Sequence, residues 1–122
     1  MAGNKAFGKR IRDLREEKRL VDPTFSLRQF AEKVGISATF LSKVETGEFD
    51  PPKAENIIKM ANLLGVDADV LLALAGKVDP QLGEIIRDQP KAMADFLRTA
   101  YDRGLTAKDI EKLTEGIKKN RP

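Results

Sequence analysis

Apolar residues recur at steps of three and four along nearly the whole chain, the period of helices that present one face inward. Phe7, Ile11 and Leu14 mark the first stripe and predict a helix over about 4–19. Pro23 cannot continue it, so Leu20–Phe25 reads as a loop. Ser26 opens a second helix with Leu27, Phe30, Ala31 and Val34 on one face. Ser26-x-x-Gln29 has the form of a capping box, in which each side chain satisfies an orphan amide of the first turn. Gly35, free to adopt a left-handed conformation, stops that helix. Ser37 caps a third, short helix to about Thr46, with Leu41 and Val44 inward and Gly47 at its end. The stretch 48–52 is a loop by composition. A fourth helix runs from about Lys53 to Leu64 on the stripe Ile57, Met60, Ala61 and Leu64. Gly65 stops it, Asp67 caps a fifth with Leu71 and Leu74 inward, and Gly76 closes the series.

Gly76-Lys77-Val78 is the expected boundary, dividing a five-helix unit, 4–76, from a helical tail, 77–120. In the tail, Asp79-Pro80 is a cap followed by proline at the first helical position. Leu82, Ile85 and Ile86 make a short stripe. Pro90 opens a longer helix with Met93, Phe96, Leu97, Ala100 and Tyr101 on one face. Gly104 breaks it, and Thr106-x-x-Asp109 starts a last helix lined by Ile110, Leu113 and Ile117. No strand pattern, repeat or low-complexity tract interrupts this, so the expected fold is all-α, five helices followed by a two- to three-helix C-terminal region. A tail of this length cannot bury a core alone. Phe96, Leu97, Ala100, Tyr101, Ile110, Leu113 and Ile117 are therefore read as a dimer interface, the alternative being a monomer whose tail folds back on helices one and five.

Composition narrows the chemistry. The 122 residues are 41% hydrophobic and 34% charged, a mix that can form a core under a wet surface. With neither cysteine nor histidine, disulfides, zinc fingers, imidazole metal sites and histidine-dependent catalysis all fall away. The chain is read as a non-enzyme without cofactor or metal. No apolar run approaches the ~18 residues of a membrane span. The first fourteen residues are charged and lack a signal peptide's apolar stretch, so a cytoplasmic protein is expected. The net charge is +3 and the pI about 9.2, a weak lean towards a polyanion. Locally the lean is stronger: residues 5–19 hold seven cations against three anions, whereas 45–69 hold six anions against two cations. Either run could equally be a solvated helix face.

Two short helices joined by Gly35-Ile36-Ser37 supply what a helix-turn-helix needs in order: a glycine to end the first helix, an apolar residue to seal the corner and a cap for the second. The wider pattern is Ile11-x-x-Leu14-Arg15, then Ser26-Leu27-Arg28-Gln29-Phe30-Ala31-Glu32-Lys33-Val34-Gly35-Ile36-Ser37. It continues through Phe40-Leu41-Ser42-Lys43-Val44-Glu45-x-Gly47 and Ile57-x-x-Met60-Ala61-x-x-Leu64-Gly65-Val66. On these residues, 7–75 resembles the phage-repressor and Cro type of helix-turn-helix regulator, the XRE family with its lambda-repressor-like fold. The resemblance implies sequence-specific binding of double-stranded DNA by a homodimeric transcriptional regulator, most simply a repressor, on a pseudo-palindromic operator.

It also implies roles. The helix at about 37–46 would enter the major groove, with Ala38, Thr39, Ser42 and Lys43 at the base-contacting positions. Lys43 could donate to guanine, and the Thr39 methyl could meet that of thymine. Ser26, Arg28, Gln29, Ser37, Lys53 and Asn56 would contact phosphates and position the protein. Arg15 and Glu45 would form a structural ion pair. Ser26 and Ser37 serve equally well as caps alone, Lys43 as a solvated lysine, and Phe40 as a packing residue. The sequence departs from the family at Leu27, where glutamine is common, in the longer Val21–Phe25 connection, and in Pro51-Pro52 where the fourth helix often has a serine cap. Two other functions stay open: an antitoxin-like or partner-binding protein whose tail engages a toxin or an inactivating peptidase, and an interaction module that keeps the fold without binding DNA.

Overall fold

The computed structural model describes residues 3–120, and every regular element among them is helical. The elements are α1 (Lys5–Arg19), a 3-10 turn (Pro23–Phe25), α2 (Leu27–Val34), α3 (Ala38–Glu45), α4 (Ala54–Leu64), α5 (Ala68–Leu74), α6 (Pro80–Asp88), α7 (Pro90–Asp102) and α8 (Ala107–Asn120). The chain forms two compact units that divide between Leu82 and Gly83, inside α6.

Caps place the helices of the first unit. The Asn4 side chain accepts from the Phe7 N–H at 2.9 Å and donates to the Leu74 carbonyl at 2.9 Å, tying the start of α1 to the end of α5. Ser37 and Asp67 cap α3 and α5 by accepting from Phe40 N–H and Val70 N–H. Each such bond contributes about 1 kcal/mol by satisfying an amide with no partner inside the helix. At α2 only half of the expected box forms. Ser26 Oγ accepts from Gln29 N–H, but the Ser26 N–H donates to Pro23 O, because the 3-10 turn has already claimed it.

The core is drawn from α1 to α5. Phe7, Ile11, Phe30, Val34, Leu41, Val44, Ile57 and Met60 are buried essentially completely, each contributing roughly 1.5–3 kcal/mol by leaving water. Leu72 joins this core while Leu74 stays 39% exposed, the reverse of the expectation for Leu74. The seven-residue α5 meets the core along a line between Leu71 and Leu72, and Leu74 falls outside it. The α1–α2 connection is also more than a loop. Phe25 is buried in the core, its ring 5.8 Å from that of Phe30 and 4.7 Å from Lys33 Nζ. The adjoining Leu20 and Val21 are largely out in solvent.

From α6 onward the periodicity makes helices without making an interior. No residue of α6, α7 or α8 is buried. At the start of α8, Thr106 and Asp109 form a complete capping box: Thr106 N–H donates to Asp109 Oδ2 at 2.9 Å and Asp109 N–H to Thr106 Oγ1 at 3.2 Å.

Candidate nucleic-acid interface

The corner between α2 and α3 is fixed by backbone geometry. Gly35 has φ of 90°, and its N–H donates to Ala31 O and Glu32 O while Ile36 N–H also donates to Ala31 O. A side chain at Gly35 would meet no atom within 4 Å. Glycine is needed there for its left-handed conformation alone, not for space. Ile36 packs partly against the core, and Ser37 starts α3.

Helix α3 has one face anchored and another free. Leu41, Val44 and Glu45 are buried. Thr39 is exposed, and Ser42 and Lys43 are half-buried. Thr39 and Lys43, four residues apart, share a side of the helix. Ala38 is half-buried and leans on the core, as does Phe40, whose ring also lies 6.1 Å from that of Phe49. Of the four residues assigned to base contact, Ala38 thus offers the least to a ligand.

The anchor is an ion pair. Arg15 Nε and Nη2 donate to the two Glu45 carboxylate oxygens at 2.8 and 2.9 Å, and Arg15 Nη1 donates to the Phe25 carbonyl at 3.1 Å. Both side chains are about 95% buried. The hydrogen-bonded Glu45 carboxylate holds the Arg15 pKa above its ordinary value, outweighing the opposing effect of burial. The pair joins α1 to the C-terminal end of α3 and fixes the tilt at which α3 stands.

Lys43 is not idle. Its Nζ lies 3.3 Å from Glu48 Oε1, while Thr46 Oγ1 donates to Glu48 Oε2 at 2.9 Å. The Thr46 hydroxyl first, and Lys43 second, draw the Glu48 carboxyl below its usual range. A nucleic acid that used Lys43 would have to compete with Glu48 for it.

The other assigned residues lie at helix starts. Ser26 and Ser37 act as caps through their hydroxyls. Arg28 and Gln29 are exposed on the first turns of α2, with Arg28 Nε a loose 4.0 Å from Glu32. Lys53 occupies the cap position of α4 without a side-chain cap bond, and Asn56 is half-buried one turn on. In the second unit Phe96, Leu97, Tyr101, Ile110, Leu113 and Ile117 are all exposed and Ala100 is half-buried. Arg12, Arg19 and Thr46, which no sequence motif singles out, line one depression of about 220 Å³ together with Ser42. The cation run on α1 was visible in sequence, but its face was not.

A two-helix corner with a glycine turn, carried on a five-helix core and presenting a polar face of its second helix, defines a helix-turn-helix protein. The chain belongs to the helix-turn-helix domain family, whose model matches residues 6–74. It is 30% identical to an HTH-type transcriptional regulator, RghRB, of Bacillus subtilis (strain 168), over 89% of this chain and 86% of that one. An HTH-type transcriptional repressor of the same organism, RghR, is 34% identical over 61% of this chain and 51% of its own. An HTH-type transcriptional regulator of Mycobacterium tuberculosis (strain H37Rv) is 40% identical over 52% of this chain and 44% of its own. These relatives are named as regulators, a non-enzymatic class. No helix among the described residues is long and apolar enough to cross a membrane.

Proposed function

We propose that this chain is a cytoplasmic, sequence-specific DNA-binding transcriptional repressor that acts as a homodimer. The observation that carries the reading is α3 itself, held rigidly by Arg15–Glu45 on one side while Thr39, Ser42 and Lys43 face outward on the other. Those residues and Ala38 would read base edges in the major groove. Ser26, Arg28, Gln29, Ser37, Lys53 and Asn56 would hold the flanking backbone. Bound across a promoter, the protein would block transcription by occupancy.

The tail, 77–120, would supply the dimer. Its helices each leave an apolar stripe exposed, Phe96, Leu97 and Tyr101 on α7 and Ile110, Leu113 and Ile117 on α8, and such exposed apolar faces mark interaction surfaces. A two-fold dimer would present two copies of α3 to half-sites about one helical turn (~34 Å) or a multiple apart.

The test is fluorescence anisotropy on a duplex from upstream of the protein's own gene and on a scrambled duplex, each at two salt concentrations. The expected result is tighter binding to the upstream duplex and a steep loss with salt. Arg28→Ala should weaken both duplexes alike and flatten the salt dependence, as loss of a phosphate contact does. Salt-insensitive behaviour with no duplex bound would instead favour a protein-interaction module.

A further inference from the structure

The depression between α1 and α3 has a chemistry that the reading above leaves unused. Three arginines and two glutamates border it, with Ser42 and Thr46 on the α3 side. Arg15 and Glu45 neutralise each other in their buried, two-bonded pair. Glu16 is shared, 3.5 Å from Arg15 and 3.6 Å from Arg19. Arg12 has no carboxylate within ion-pair distance among the described residues. The rim therefore carries one positive charge more than its carboxylates balance, and both outer arginines are exposed.

Arg12 and Arg19 are seven residues apart on one helix, two turns or roughly 10 Å. That separation lets two guanidinium groups approach one anion from opposite sides. A volume of about 220 Å³ has room for several groups of water size, at roughly 30 Å³ each, so a phosphate fits with part of its hydration. The guanidinium fork suits phosphate oxygens, which it can hold through paired N–H donors. The depression adjoins Ser42, on the helix proposed to lie in the groove, so the phosphate closest at hand is that of the same duplex.

We propose that Arg12 and Arg19 form a clamp for a DNA backbone phosphate beside α3, setting the depth at which that helix seats. This rests on the DNA-binding reading and adds α1 to the interface. Glu16 is the clamp's internal counterion: it gives up Arg19 when phosphate arrives.

The experiment compares the full-length wild type with Arg12→Ala/Arg19→Ala and with Arg12→Lys/Arg19→Lys. A control, Arg98→Ala/Arg103→Ala, removes the same charge from α7 and the residue after it. Affinity for a preferred and a scrambled duplex is followed across a salt series, and thermal unfolding is followed by circular dichroism. Because both arginines are exposed, the alanine variant should melt close to the wild type. Its log affinity against log salt should flatten by about 1, at ~0.9 per phosphate contact, with severalfold weaker binding to both duplexes. The lysine variant should keep most of the slope, and the control should keep all of it. An alanine variant with the wild-type slope, or a control that loses as much as the variant, overturns the clamp. Wild-type protein that binds no duplex with salt sensitivity overturns the underlying reading instead.

Discussion

At the scale of single residues, the Arg15–Glu45 pair decides whether α3 can work. Its worth lies less in net stability than in what remains when one partner goes. Arg15→Ala should destabilise the fold by about 3–5 kcal/mol, because Glu45 is left charged and buried without a counterion. Glu45→Ala should do the same in reverse. The double replacement Arg15→Met/Glu45→Leu should recover most of the loss, since two apolar side chains of similar volume leave no buried charge. Urea unfolding of the four proteins checks this. Single variants that lose under 1 kcal/mol would show that solvent reaches the pair. The partners were legible in the sequence only through the family resemblance, because thirty residues separate them. The Phe25 carbonyl as a third partner was not legible, since it depends on the 3-10 turn folding under α1.

Elements meet where glycine lets them. Gly8 lies buried inside α1 with ordinary helical geometry, and a Cβ there would collide with the Val44 carbonyl oxygen and lie 2.8 Å from that of Glu45. On an exposed helix, glycine to alanine stabilises by up to ~1 kcal/mol. Here the sign should invert: Gly8→Ala should cost roughly 1–3 kcal/mol, the range for overpacking, by pushing α1 off the end of α3. Thermal unfolding reads it directly, and a more stable variant would show that the two helices cross less closely. Helix positions were legible because stripes, caps and stop glycines agreed at nearly every boundary. The misses have physical causes. In α5, two turns give too little periodicity to choose between Leu72 and Leu74. At Ser26 the capping pattern could not reveal that Pro23 O already held the amide. The depression under Arg12 and Arg19 arises from how α1 crosses α3, which no single stripe encodes.

For the whole molecule, the proposed repressor function requires two copies. The apolar faces of α7 and α8 have no interior of their own to fill, so Phe96→Asp should yield monomers in sedimentation, with weakened binding to specific duplex DNA. The weakening follows from losing the effective concentration that couples two half-sites. A variant that still sediments as a dimer would remove this face from the interface. Sequence reading by α3 is checked by selection from a random duplex library, with the wild type and Lys43→Ala carried through in parallel. The wild type should enrich a two-fold-related motif with half-sites one helical turn or a multiple apart, and Lys43→Ala should lose preference at one position in each half-site. Enrichment of no motif by the wild type, or the same motif unchanged by Lys43→Ala and by replacement of Thr39 and Ser42, would show that α3 does not read sequence.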